Sequence, residues 1–388
     1  MYTVLWVLYF LQGILYPAAS MVAKIILISV FIISFYRFIT VLGMKKVHPY
    51  MKALNLLMFM FLIYGFFRLF SAPMVIVHDV GTSTVPGFYY LKYVFTSLGA
   101  FFPYYYYSMK GVINDSNIGK YTLLFFILAI VNYFDYQRVL LVYLTNNGVD
   151  VEGDLVNNMG YRFVPLIPLV FFLKKYKITY VVVCLVFIIL GLKRGAIVCG
   201  FVMLILFFYH SFSTKKISSK RPIITALFVV VIVFGFFWYY YNASEGLRNR
   251  IEMTTEGNYS GREDLYSNAY KYLQNVGSDD LIIGGGADNS IKVLGNYSHN
   301  DWYEILMNNG LLGIILYINF LLVGVLTWIR MRRKVKDDYA ASFGMYICSF
   351  ILMSFFSMAI NGMGPTFALG ITYCLVYGSK QPSKLFSR

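Results

Sequence analysis

Four residues near the middle of the chain have the side-chain types that bind and transfer phosphate-bearing groups. Lys193 and Arg194 lie in a tight turn between two apolar segments, Arg262 follows in the polar segment NYSGREDL, and His299 lies in SHNDWYEILMNNGLLG. Arginine offers a planar fork of donors that matches a phosphate. A neutral imidazole beside arginines can accept a proton from an attacking hydroxyl. The pattern therefore predicts group transfer on a phosphorylated substrate, with His299 as the base.

Each of these residues also has a simpler explanation. Lys193 and Arg194 would equally form a solvated turn, and a lone histidine is most often structural or merely exposed. His299 is favoured as functional because it is the only histidine of the polar stretch 239–313, which also contains Arg262. Asn300 and Tyr303, its near neighbours in sequence, are expected to contact the same substrate.

Local signals predict how the chain positions Arg262. Ser260 is a suitable N-cap, and Glu263 three residues later completes a capping box. Arg262 would then lie in the first turn of a short helix, where a cation opposes the helix dipole and requires an anionic partner.

The block around His299 predicts a second helix start. Ser298 or Asn296 is the predicted cap of a helix that begins near His299, so that the imidazole lies in its first turn. Asn309 and Gly310 are expected to end or bend that helix before the next apolar segment.

The composition places these residues in a membrane protein. Of the 388 residues, 59% are hydrophobic and 13% are charged, whereas soluble proteins carry about 25% charged residues. A bilayer core of roughly 30 Å needs about 20 helical residues. We therefore expect an all-α, polytopic transmembrane bundle of twelve helices at 2–16, 21–42, 54–70, 88–107, 121–134, 163–173, 178–192, 196–212, 223–240, 311–329, 339–360 and 365–377. The first is expected to be retained, because no basic region precedes it as in a signal peptide.

The positions of the lysines and arginines predict the topology. They concentrate in alternate loops, at 43–53, 108–120, 174–177, 213–222, 330–338 and 378–388. Because short cytoplasmic loops retain cations, both termini are expected in the cytoplasm. The cations of these cytoplasmic loops account for the net charge of +15 and would face anionic lipid. No nucleic-acid partner is therefore expected. The predicted regions are transmembrane helices one to nine (1–240), a large extracytoplasmic loop (241–310), and the last three helices with a cytoplasmic C-terminus (311–388).

Cations that this topology does not require are candidates for substrate binding. On the outer side they include Lys193, Arg138, Arg162, Arg248 and Arg250. Three more, Lys24, Arg68 and Lys92, fall near the outer ends of predicted helices. These three either snorkel from helix ends or hold an anion at the outer interface.

The remaining motifs predict neither a cofactor nor a metal. The cysteines, at 184, 199, 348 and 374, lie in apolar runs without the spacing of a zinc site or a disulfide framework, and are expected to pack. The glycine-rich segment LIIGGGADNS lacks the pattern of a phosphate-binding loop and predicts a tight turn. Asp279 and Asp280 have no further ligand cluster beside them.

These motifs resemble the bacterial O-antigen polymerase and O-antigen ligase superfamily of membrane glycosyltransferases. The resemblance covers mainly residues 190–317 and includes the Lys-Arg-Gly turn at 193–195, SGR-x-x-LY at 260–266, IIGGG and SHNDWYEILMNNGLLG. It implies a class C glycosyltransferase-like fold in the bacterial inner membrane with an extracytoplasmic active site. It carries catalytic roles over to Arg194, Arg262 and His299.

The resemblance also implies a substrate and partners. The donor would be an oligosaccharide linked to undecaprenyl pyrophosphate, used without a nucleotide sugar or a metal. Membrane lipids, a chain-length regulator and a flippase would be its partners. The spacing between Arg250 and Gly261 resembles one described for polymerase loops.

The aromatic-rich transmembrane segments favour a polymerase of O-antigen or capsule repeat units as the function. Three other functions remain open. The first is an O-antigen ligase, which uses the same donor. A polysaccharide flippase or other transporter would carry its working charges near mid-membrane on two matching halves, which this sequence lacks. A length sensor or scaffold would leave the outer arginines and His299 dispensable.

Overall fold

The computed structural model describes residues 1–17, 20–78, 81–146, 156–214, 221–255, 262–334, 338–362 and 364–380. These residues are predominantly helical, which confirms the predicted all-α class. The α-helices are α1 (Tyr2–Phe10), α2 (Met21–Leu42), α3 (Pro49–Leu69), α4 (Phe88–Thr96), α5 (Phe101–Met109), α6 (Ile118–Asn146), α7 (Lys177–Leu190), α8 (Arg194–Thr214), α9 (Arg221–Ala243), α10 (Glu245–Thr255), α11 (Arg262–Asn275), α12 (Ser278–Ile283), α13 (Asn289–Leu294), α14 (Asp301–Lys334), α15 (Asp338–Phe356), α16 (Ala359–Gly362) and α17 (Pro365–Lys380). Leu98–Ala100 and Asn158–Phe172 form 3₁₀ helices.

Several helices have the length and composition to cross a membrane. Within the described ranges six qualify: Met21–Leu42, Pro49–Leu69, Ile118–Asn146, Arg194–Ser213, Asp301–Arg333 and Asp338–Phe356. Three shorter apolar helices accompany them, Lys177–Leu190, Leu227–Ala243 and Pro365–Gly378. Each of the twelve predicted segments overlaps a helix, although the first is helical only over Tyr2–Phe10. The chain is a multi-pass membrane protein, and the number twelve stays a prediction.

The fourth predicted segment is broken in the structure. It contains α4, the short 3₁₀ turn and α5. Pro103, near the start of α5, has no N–H to donate to the Gly99 carbonyl, and its ring would clash with that carbonyl in a continuous α-helix. Proline therefore explains why one apolar run forms two helices.

The sixth predicted segment is a long 3₁₀ helix at the centre of the bundle. Asn158–Phe172 contains Pro165 and Pro168, and it is buried over most of its length. Proline interrupts α-helical hydrogen bonding, and the Tyr346 hydroxyl donates to the Pro165 carbonyl at 2.9 Å. This helix packs against α6, α7, α8 and α15, so it supports the turn between α7 and α8.

A two-stranded antiparallel hairpin was not predicted from the sequence. It pairs Met74–His78 with Gly81–Val85. Ile76 and Val85 are buried against Ile291 of α13. The hairpin therefore attaches the loop between α3 and α4 to the polar segment that contains α13.

Arg68 has a structural partner rather than an anionic ligand. Its Nε lies 2.9 Å from Oδ2 of Asp288, and the two side chains are 1% and 4% exposed. Its remaining donors reach the carbonyls of Ala72 and Val85, at 2.9 and 3.2 Å. Both readings of Arg68 from the sequence, snorkelling and anion binding, are therefore wrong, because the acidic partner lies 220 residues away.

The other two cations near the outer helix ends differ from Arg68. The Lys92 ammonium lies 4.8 Å from the centre of the Tyr89 ring, and Lys24 is exposed on α2.

Helix α14 is broken at Gly310, as the sequence predicted. Gly310 has φ 64° and ψ −162°, which releases the preceding carbonyls from the helix. Two of them accept hydrogen bonds from the glycine-rich segment: Gly285 N–H donates to Met307 at 3.0 Å, and Gly286 N–H donates to Asn308 at 3.1 Å. The glycine-rich segment thus satisfies carbonyls that the break in α14 leaves without helical hydrogen bonds.

Gly310→Ala is expected to destabilise the protein. This backbone conformation is nearly exclusive to glycine and costs other residues about 1–3 kcal/mol, and an added Cβ would overlap Ile282 O and Gly284 N. The unfolding midpoint of the detergent-purified protein measures the effect. Gly235→Ala is the matched control, because nothing lies within 4 Å of a Cβ at that position. Equal midpoints for both variants would refute the role assigned to the break.

Candidate active site

The turn that carries Lys193 and Arg194 is held against the central 3₁₀ helix. Helix α7 ends at Leu190 and α8 begins at Arg194, as the predicted tight turn requires. Gly191 packs closely on Gly160: a Cβ on Gly191 would lie 3.0 Å from the Gly160 Cα. Both basic side chains are half-buried. A solvated turn is therefore a poor description of this segment.

Tyr161 lies beside the turn that carries Lys193 and Arg194. A Cβ on Gly195 would overlap its hydroxyl, which explains why glycine follows the two cations. The positive charges of Arg262 and Arg194 both act on the Tyr161 phenol. Nothing in the sequence around Tyr161 indicated this position, because the contact depends on how the 3₁₀ helix packs.

Arg262 is the first described residue of α11, and its guanidinium is hydrogen-bonded to α15. Its Nη1 donates to the carbonyl of Phe356 at 2.9 Å, the last residue of α15. Glu263 and Asp264, the other charged residues of that turn, are exposed. Ser260, the predicted cap, lies outside the described residues.

His299 precedes helix α14 rather than occupying its first turn. The helix begins at Asp301, and Asn300 is its cap: the Asn300 side-chain oxygen accepts from Trp302 N at 2.9 Å. The caps predicted from sequence, Ser298 and Asn296, are therefore wrong. Ser298 cannot serve, because its hydroxyl bonds to Glu304 instead. His299 adopts φ 54°, a left-handed conformation that is uncommon for residues other than glycine.

Glu304 holds the backbone of this turn and was not predicted as a site residue. Its buried carboxylate accepts from Ser298 N at 3.0 Å, Ser298 Oγ at 2.9 Å and Asn308 Nδ2 at 3.0 Å. The Ser290 hydroxyl of α13 is a further donor. One carboxylate thus joins α13, the residue before His299 and the helix that follows it.

The charge environment keeps His299 neutral at physiological pH. Its pKa is lowered to about 4, first by burial and then by the positive charges of Arg262 and Lys193. Contacts at the end of α15 bring these residues near one another. Gly195, the residue after Arg194, packs on Phe356, whose carbonyl accepts from Arg262. The side chain of Asn300, next to His299, donates to the Phe355 carbonyl at 3.4 Å. We call Lys193, Arg194, Arg262 and His299 the basic site.

A comparison with known protein families covers this region of the chain. Residues 179–318 match the O-antigen ligase family. The match contains all four residues of the basic site and confirms the resemblance seen in the sequence. It points to glycosyltransferase-like activity in polysaccharide ligation or polymerisation. A search of curated proteins finds no significant match.

Two predicted substrate-binding residues lie before the O-antigen ligase region and make other contacts. Arg138 pairs with Asp135 at 2.7 Å and has a side chain that is 65% exposed. Arg162 lies 4.6 Å from the centre of the Phe10 ring. No contact of either residue with the basic site is found among the described residues.

The other predicted substrate-binding residues lie inside the O-antigen ligase region. Tyr303 stacks on Tyr266 of α11, with ring centres 5.2 Å apart, so it borders the basic site. Asn300 acts as a helix cap. Arg248 is exposed on α10, and the side chain of Arg250 lies outside the described part of the structure.

Among the described residues, no group of three His, Cys, Asp or Glu side chains is arranged to hold a metal ion. All four cysteines are free, and three are buried in the bundle, as expected for packing residues.

Proposed function

We propose that this protein is a polysaccharide repeat-unit polymerase of the bacterial inner membrane. It transfers a glycan from undecaprenyl pyrophosphate to a lipid-linked acceptor at the extracytoplasmic face, and both its termini are cytoplasmic. The observation that carries this proposal is that the end of α15 contacts the Arg194 turn, Arg262 and the residue after His299. Burial and the neighbouring positive charges lower the pKa of His299, so the imidazole is neutral. This combination suits a diphosphate leaving group and a hydroxyl acceptor.

In the proposed reaction the acceptor hydroxyl attacks the sugar carbon that is bonded to the pyrophosphate oxygen. A new glycosidic bond forms, the sugar–phosphate bond breaks, and undecaprenyl pyrophosphate leaves with the bonding electron pair. Lys193, Arg194 and Arg262 stabilise the charge that develops on the diphosphate. His299 accepts the proton of the acceptor hydroxyl. Cations directed at the leaving group take the part that a divalent metal plays in other enzymes.

An O-antigen ligase is the second candidate, because the matching family carries that description. Polymerase and ligase share the donor and differ in the acceptor, which is the outer core of lipopolysaccharide for a ligase. The glycan profile of a deletion strain tests the two. Single repeats attached to the core indicate loss of a polymerase, whereas bare core with accumulated lipid-linked polymer indicates loss of a ligase.

A flippase or transporter is distinguished by where lipid-linked repeats accumulate in the deletion strain. Loss of a flippase leaves them on the cytoplasmic face, beyond the reach of periplasmic reagents. Our proposal requires them on the outer face. Accumulation inside would exclude both the polymerase and the ligase.

The pH dependence of transfer is expected to reflect the lowered pKa of His299. A base must be neutral to accept a proton, so kcat/KM is expected to stay constant around neutral pH and to fall only as the pH approaches about 4. The negative charge of bound diphosphate stabilises the imidazolium and so raises the pKa of His299 in the enzyme–substrate complex. Because kcat reflects that complex and kcat/KM reflects the free enzyme, kcat is expected to fall at a higher pH than kcat/KM. Circular dichroism at each pH controls for unfolding. A kcat/KM profile that falls near pH 6.5 would contradict this account of the imidazole.

A further inference from the structure

A basic pocket lies at the opposite end of α3 from the Arg68–Asp288 ion pair. Its volume is about 240 Å³, and Lys46, His48 and Tyr105 are among its lining residues. We call it the Lys46 pocket. His48 caps the start of α3, whereas Arg68 near the other end bonds to Asp288 of the extracytoplasmic segment. The 21 residues of α3 span about 30 Å, so the pocket faces the other side of a bilayer.

Neutral donors are available in this pocket. His48 Nδ1 accepts from Tyr50 N at 3.2 Å, which places the proton of a neutral imidazole on Nε2. Tyr105 Oη accepts from His48 N at 3.1 Å, which leaves its own proton free to donate to a ligand. Phosphate oxygens accept hydrogen bonds from N–H and O–H groups of this kind.

Positive charge surrounds these donors. Lys46 is exposed and lines the pocket. Arg330 of α14 is close enough that its charge, after burial, helps lower the pKa of His48 to about 4. Among the described residues, none that lines the pocket is acidic. An anion is therefore the ligand that the charges favour.

The other wall of the pocket is apolar. Val47, Met109 and Leu375 form part of it, and they offer nothing to a free phosphate. The lysine distribution predicts that this end of α3 is cytoplasmic, and a basic pocket between transmembrane helices at that surface is the typical setting for an anionic lipid headgroup. We propose that the Lys46 pocket binds the phosphate of an anionic glycerophospholipid, whose acyl chain begins against the apolar wall. This site is independent of the proposed enzymatic function.

Lipid binding to the full-length protein in neutral detergent tests the proposal. Native mass spectrometry would measure retained phosphatidylglycerol, phosphatidylcholine and inorganic phosphate as separate probes. Phosphatidylglycerol is expected to bind in preference to phosphatidylcholine. Lys46→Gln should weaken phosphatidylglycerol binding about fivefold, the effect of one lysine charge near a membrane surface.

Two variants separate the pocket from general surface charge. Lys45→Gln removes a neighbouring exposed lysine that does not line the pocket, and it should weaken binding less than Lys46→Gln. Val47→Phe reduces the space for lipid with every charge intact and should also weaken binding. Equal effects of Lys45→Gln and Lys46→Gln, or no effect of Val47→Phe, would overturn the site. Displacement of phosphatidylglycerol by inorganic phosphate alone would show a free-anion site instead.

Discussion

His299→Ala is expected to reduce glycan transfer by about 100-fold to 10 000-fold, the range that a general base contributes. The imidazole is the neutral acceptor in the basic site, because burial and the charges of Arg262 and Lys193 lower its pKa to about 4. Its removal leaves the cations in place, so donor binding should persist while the acceptor hydroxyl stays protonated. The length of lipid-linked glycan in a deletion strain that carries the variant measures the loss, and immunoblotting of the membrane fraction measures the protein.

A second histidine provides the control for this substitution. His210 lies on α8, and its Nε2 is 3.0 Å from Asp338, near the predicted cytoplasmic end of the bundle. His210→Gln should leave transfer close to that of the unmodified protein. Normal chain growth by His299→Ala at an unchanged protein level would remove His299 from the mechanism.

Arg262→Ala is expected to lower kcat by about 100-fold to 1000-fold, the cost of losing one preorganised donor to a developing charge. Its Nη1 bond to the Phe356 carbonyl fixes the guanidinium beside Tyr161 and Arg194. Arg262→Lys restores the charge without the planar fork, so it should recover only part of the activity. The assay is release of polyprenyl pyrophosphate by purified protein under saturating donor.

A lysine on the same helix provides the control for the loss of positive charge in Arg262→Ala. Lys271 is exposed on α11, so Lys271→Ala removes a positive charge without touching the basic site. It should retain nearly full activity. If both substitutions lowered kcat equally, the effect of Arg262 would be one of surface charge rather than of contact with the leaving group.

Local sequence signals predicted those parts of the structure that local interactions determine. The Lys-Arg-Gly turn needed only two apolar runs without a loop between them. The bend in α14 is likewise marked by a local signal, Gly310 itself, although the glycine-rich segment that binds the released carbonyls is distant in sequence. The local structure of the Lys-Arg-Gly turn and of the bend in α14 was therefore predictable from the sequence.

Contacts between distant segments were not predictable from one sequence. Arg68 looked like a helix-end cation because Asp288, its partner, lies 220 residues away. The cap before α14 was assigned to Ser298 or Asn296, because the competition of Glu304 for Ser298 arises only once the helix has formed. Tyr161 had no local signal, because its role depends on α8 and α11 packing near the 3₁₀ helix.

The most direct measurement of the central claim is transfer by the purified protein in liposomes. Lipid-linked repeats isolated from the deletion strain would be supplied as donor and acceptor, with a chelator and without any nucleotide sugar. The account predicts elongated lipid-linked glycan together with released undecaprenyl pyrophosphate, and neither product from His299→Ala or Arg262→Ala. Elongation that requires a nucleotide sugar, or that proceeds normally in both variants, would contradict it.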